Sequence, residues 1–375
     1  MGVGLAIILF LALTLGWMLL PFLPGLREIV RKDDAEALPI SRRSEVDVRH
    51  FAQGFRTYLD RTLAGMLDRS RREGEILTGE LADGTPYLVV PDGESPVDIG
   101  DDERAYCRTL IVSPGDLSLP DDCVHAAEIY AAGDLTGGAR SVYRAAMAEG
   151  ALELAAGSAS LRWLHAGRSL RVNDNCRLWG RVSSEGPLHL AAGCRFERLH
   201  AQVIDFGDPA EASEVALARA DAPPLEAADV AHLVDTRGGR WLVAGDFELA
   251  AGRRLEHDLV VNGAVILREG SSLKGSLKSR GPLRTERGVR IDGAVVGEQD
   301  VALGRDGVIG GPVISERTLT LGTRCVVGAP DVPTTVSARD IRVEPGSRCH
   351  GTVWAHQRGD VLVPVGRISG KDGTA

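Results

Sequence analysis

Aromatic residues make up only 5% of this chain, and basic residues are outnumbered by acidic ones, 43 to 52, for a net charge of −9. Few rings suit narrow coils filled by Val, Leu and Ile better than the core of a β-sandwich. The missing basic excess argues against a surface that coats nucleic acid, because counterion release needs a basic face. Cysteine is sparse as well: the six residues lie far apart and form no C-x-x-C pair. That spacing suggests neither a disulfide framework nor a zinc site, and a reducing compartment is the natural reading. No Gly-rich phosphate loop follows a strand and opens a helix, so no nucleotide is expected, and no cofactor or metal either. Residues 92–103 are densely acidic yet lack the D-x-D-x-D-G spacing of a calcium loop, and read as solvated loop.

What is present is a repeat. Written in lines of eighteen, the second half of the chain puts Phe247, Val265, Leu283, Val301 and Leu319 in one column. Eight places on stand Leu255, Leu273, Ile291, Ile309 and Val327. Twelve places on stand Leu259, Leu277, Val295 and Val313, and that column fails at Asp331. The register slips by four after Leu319 and resumes at Ile341, Cys349 and Val353. Counting the slipped line, the first two columns are apolar at twelve positions of twelve, against 44% for the chain. Chance gives this about 5 × 10⁻⁵ of the time, before the free choice of period and phase.

An eighteen-residue period is three short strands joined by three tight corners. Gly252, Gly270 and Gly288 share one place in the line, and Gly275, Gly293 and Gly311 another. Glycine there fits corners that need positive φ or close backbone approach. The apolar columns bury a continuous core only if each line lies on the one before it, which describes a parallel β-helix with turns about 4.8 Å apart. No apolar i, i+3, i+4, i+7 stripe runs through the stretch.

The same period returns more weakly upstream. Leu152, Leu170 and Leu188 are spaced by eighteen, with Leu178 and Phe196 at plus eight and Leu164 and Val182 at plus twelve. Extended backwards, Val142 and Val124 fit plus eight. A first β-helix block is therefore expected over residues 116–206 and a second over 241–358. Cys176 and Cys194 become stacked neighbours, reduced rather than bridged in a cytoplasmic protein. Residues 207–240, rich in Ala, Asp, Glu and Pro, read as an insert or linker, with short helices at 210–220 and 225–234. Residues 359–375 read as a disordered tail.

At the other end, residues 3–23 carry no charge and match a bilayer core in length. A cleaved signal peptide fits less well, because the run is long, no Lys or Arg precedes it and no A-x-A site follows. Residues 1–26 are read as a transmembrane anchor. Arg27, Arg31, Lys32, Arg42 and Arg43 follow it, which puts the N-terminus outside and the coil in the cytoplasm. Residues 27–75 form a basic linker in which Phe51, Phe55, Leu59, Leu63 and Met66 predict an amphipathic helix over 46–72. Its apolar stripe lies on anionic lipid, or packs on the coil or a partner helix. Residues 76–115 are an acidic, β-rich lead-in, with a hairpin signal at Asp83-Gly84.

Runs such as Leu259-Val-Val-Asn-Gly-Ala-Val265, Leu273-Lys-Gly-Ser-Leu-Lys-Ser279 and Ile291-Asp-Gly-Ala-Val-Val-Gly297 resemble the bactofilins, bacterial polymer-forming cytoskeletal proteins and cell-shape determinants. The resemblance is good over about residues 245–355 and faint over 116–206. It implies an all-β fold, a right-handed three-sided parallel β-helix that polymerises end to end without nucleotide. It also implies a scaffold at the inner (cytoplasmic) membrane that localises cell-wall enzymes or other envelope proteins. The membrane span, the first block and the insert depart from the family's short single coil. Physically, the terminal turns of a coil expose unpaired backbone groups that template another coil unless capped. Val353 and Trp354, near the last coil, are the candidate end contact.

Two enzyme classes compete. Leu303-Gly304, Ile309-Gly310, Leu321-Gly322 and Val327-Gly328 fit the hexapeptide phrase of a left-handed β-helix acyltransferase. The third face, however, reads Ser279, Gly297 and Ser315, and His257, His350 and His356 are the histidines on offer as a base. A carbohydrate-active β-helix lyase or hydrolase needs loops that eighteen-residue coils do not supply. The expectation is a non-enzymatic, membrane-anchored scaffold whose partners are itself, as a homopolymer, and the lipid bilayer.

Overall fold

The computed structural model describes residues 3–20, 48–94, 105–208, 224–225, 234–237 and 240–363. They fall into two units, 1–47 and 48–375. The first holds one helix, α1 (Val3–Leu19), of 17 residues without a charge. Leu5, Leu9, Phe10, Leu13 and Trp17 are exposed on it. Among the described residues no helix is long and apolar enough to cross a membrane. The span expected over 3–23 is α-helical only to Leu19, because Pro21 disfavours a helical conformation at the residue before it. Residues 21–23 and the basic flank from Arg27 to Arg43 lie outside the described residues, as do the acidic run at 95–104, most of the helices expected at 210–220 and 225–234, and the tail beyond 363.

The second unit is a parallel β-solenoid of about 13 turns. In its second block the eighteen-residue columns are hydrogen-bonded ladders. Phe247, Val265, Leu283, Val301, Leu319 and Ile341 are successive partners on one. Leu255, Leu273, Ile291, Ile309, Val327 and Cys349 are partners on the next. Trp241, Leu259, Leu277, Val295, Val313, Val336 and Val353 make the third. All these side chains are buried in one continuous core. The third column does not end at Asp331: it skips to Val336. The extra residues bulge out as a turn closed by Ala329 and Val332, whose amides each bond the other's carbonyl.

The glycines divide by cause. Gly270 has φ +65 and open space where a Cβ would stand, so it serves a left-handed corner. Gly293 has ordinary φ, but a Cβ there would lie 2.6 Å from the Gly275 carbonyl oxygen, so it serves the close stacking of turns. Asn175, Asp306 and Arg324 occupy the same left-handed corner in other turns, at φ +57 to +59.

The first block has the same three ladders with one register error in the expectation. Leu135 pairs with Leu152, a step of seventeen residues, so the turns before it are displaced by one. His125 and Tyr143 therefore fill the interior, and Val124 and Val142 face outward, half-buried. A one-residue slip exchanges the faces of a strand. The coil also starts earlier than residue 116: Pro86–Val89 already lies parallel to Leu110–Ser113. Cys176 and Cys194 are stacked and unbridged, the thiols directed at the carbonyls of Ala155 and Asn173.

The helix expected over 46–72 is two helices, α2 (His50–Thr62) and α3 (Ala64–Glu73), broken at Leu63. Of the expected stripe, Phe55, Leu59 and Leu63 pack on the coil, while Phe51 and Met66 are exposed. Phe55 packs on Trp163, ring centroids 5.4 Å apart, and Ala52 joins Ala145, Met147 and Trp163 in a small core. Leu59 and Leu63 close a second one over Val89, Leu110 and Val112.

Candidate functional site

A coil acts through its ends and its outward faces. Each block has two ends, and none of the four is a bare stack of turns. The last turn of the first block, strand Arg195–Phe206, pairs antiparallel with the last turn of the second, strand Ser347–Val361. Phe196 stands opposite Gly359, Leu199 opposite Val353 and Ile204 opposite Cys349. In both blocks the left-handed corner, Gly193 or Gly346, is followed by the three strands in the same order. The seam therefore pairs first strand with third and middle with middle, as a two-fold axis through the middle strands requires. The blocks meet tail to tail.

Side chains hold this seam on every ladder. Arg348 Nε donates to Asp205 Oδ1 at 2.6 Å, and His350 Nδ1 donates to the Gln202 carbonyl at 3.1 Å. His200 Nδ1 lies 2.9 Å from Thr352 Oγ1. Gly359 leaves room for the Phe196 ring, which a Cβ would strike. Arg198 lies over the ring of Trp354, and burial, then the neighbouring Arg181, lowers the pKa of its guanidinium. The candidate end-contact residues Val353 and Trp354 thus sit at a coil end, against the other block of the same chain.

The two remaining ends share one device. Leu77–Glu80 runs antiparallel to Pro86–Val89, and Val234–Arg237 antiparallel to Arg240–Val243. In each case the strand next to the coil is parallel to the turns and the outer one is reversed. At the second block Pro224 also bridges to Arg254, and Leu225 packs on the core. Gly207 lies against Pro345 in the block's last turn.

The outward face under α2 carries a polar cluster. Arg49 Nη1 pairs with Glu185 at 3.1 Å, and Arg56 Nε with Glu149 at 2.7 Å. The Tyr130 hydroxyl is 3.3 Å from Glu149, and burial, with that carboxylate second, pushes its pKa to about 12. Beneath them His165, 4% exposed, holds Ser183 Oγ at 2.9 Å from Nδ1, with Glu185 4.0 Å from Nε2. His165 and Ser183 share a column eighteen apart, so the period itself carried the signal of this pair.

The ten column residues from Phe247 to Val327 line the core and face no solvent. The histidines weighed as bases are scattered: His257 stacks on Trp241, His350 is in the seam, and His356 lies by Trp354 and Ser337. Ser279 and Ser315, on the third ladder, bond corner carbonyls instead of packing as apolar residues. No family model, no curated protein and no solved structure matches the chain significantly.

Proposed function

We propose that the protein is a non-enzymatic, bactofilin-like scaffold that is tethered to the inner membrane and organises cell-envelope or cell-shape machinery. The three ladders are read as the three sides of a right-handed coil. The observation that carries this reading is the seam: the coil ends of this chain pair with each other through backbone and side chains. End association is thus a property of these turns, realised here first within one molecule. The hairpin-tipped ends are the ones left for contact between copies.

The tether is α1. Its 17 residues rise about 26 Å, against about 30 Å of hydrocarbon core, a mismatch that local thinning accommodates. Uncharged and apolar all round, it has no polar face to turn toward water. The basic flank that follows sets the coil on the cytoplasmic side.

Electron microscopy of the full chain in nanodiscs, without nucleotide, tests the proposal. About 13 turns make a rod of roughly 60 Å, so rods joined at their ends in multiples of that length are expected. Single rods at every concentration would remove self-association.

A further inference from the structure

We infer that α2 is a strap whose docking on the first block is released when His165 takes up a proton. The coil is held together by ladder hydrogen bonds at every turn. By contrast, α2 is held by side chains, the Phe55 and Leu59 contacts and the Arg49–Glu185 and Arg56–Glu149 pairs. His165 lies beneath it on the coil.

Among the described residues, the charged groups that act on the imidazole belong to those pairs. Glu185 and Glu149 come from the coil, Arg49 and Arg56 from the start and first turns of α2. Each carboxylate is already matched by one arginine. The Ser183 hydroxyl is directed to the Leu164 carbonyl and so accepts from Nδ1–H, which leaves Nε2 to receive the second proton. That proton puts a third cation on a buried imidazole beside two carboxylates that two arginines already neutralise. Burial, the largest effect, and the two arginines lower the pKa of docked His165, against the opposing pull of Glu185 and Glu149.

The sign follows from linkage. Released His165 is solvated and titrates near 6.5, docked His165 lower. Docking is therefore strongest above about pH 6.5, weakens as pH falls below that, and levels off below the docked value. Release uncovers Trp163, Met147 and Ala145 on the coil.

Hydrogen exchange of the full chain, corrected for intrinsic rates, reads the strap directly. Protection of α2 should fall as the pH drops below about 6.5 while peptides from the seam stay protected. The His165→Gln chain should keep α2 protected across the same range. Wild-type protection that ignores pH, or an equal fall in His165→Gln, overturns the inference. Where His165→Gln fails to dock at pH 7.5, the ¹³C-histidine NMR titration of the wild type decides: His165 titrating above about 6.5 overturns it.

Discussion

The guanidinium of Arg198 lies 4.5 Å from the ring centroid of Trp354. One residue belongs to the last turn of the first block and the other to the last turn of the second, so this contact exists only because the blocks meet tail to tail. Trp354 keeps part of its ring in solvent while Arg198 is half-buried, and the pair sits beside the middle-strand axis of the seam.

A double-mutant cycle measures that relationship. Arg198→Ala and Trp354→Ala should couple by about 0.5–1 kcal/mol in urea unfolding, the range of a partly exposed cation–π pair. Additive losses would mean that the two rings of backbone, and not this contact, hold the seam.

The corner and the close-approach glycines respond to substitution for different reasons. Gly270→Ala meets no atom, so it loses only the left-handed preference, about 1–2 kcal/mol. Gly270→Asn should lose less, because Asn tolerates that conformation, as Asn175 does in its own turn. Gly293→Ala drives a methyl into the carbonyl of the turn below, and should lose more than either. Equal midpoint shifts for Ala and Asn at position 270 would contradict the corner account.

The second block was legible because its apolar columns repeat without interruption from Phe247 to Leu319, with corner glycines Gly252, Gly270 and Gly288. The first block was legible only in part. A single seventeen-residue turn at Leu135–Leu152 moved the true interior from Val124 and Val142 to His125 and Tyr143. Composition cannot show such a slip, since valine suits either face. Of the seam, only Val353 and Trp354 were visible as a candidate end contact; their partners Leu199 and Arg198 were not, because antiparallel pairing carries no period. The stripe of α2 was visible, whereas the surface it packs on became clear only once Trp163 was placed.

Asp306 carries the next expectation. Its side chain is buried at a left-handed corner, φ +58, and meets Arg287 at 3.1 Å and Arg324 at 2.6 Å. Asp306→Ala strands Arg324, itself mostly buried, and should cost about 3–5 kcal/mol. Asp306→Gly should be about 1 kcal/mol milder, because it relieves the backbone while losing the same charge. Arg287→Ala, at a half-exposed site, should stay within about 1 kcal/mol. Thermal unfolding of the three variants under one buffer orders them.

His125 makes the coil acid-labile. Its ring stacks on Tyr143 at 5.3 Å and 7°, is 1% exposed, and neither nitrogen has a hydrogen-bond partner among the described residues. Burial lowers its pKa to about 4. The unfolded chain binds a proton near 6.5 and the folded one does not until about 4. Stability is therefore full above about 6.5, falls with pH through that window, and levels off below about 4 after losing roughly 3 kcal/mol. His125→Phe keeps the stacking and cannot charge. Its urea midpoint should decline less from pH 7 to 4.5 than that of the wild type, and an equal decline in both would place the acid sensitivity elsewhere.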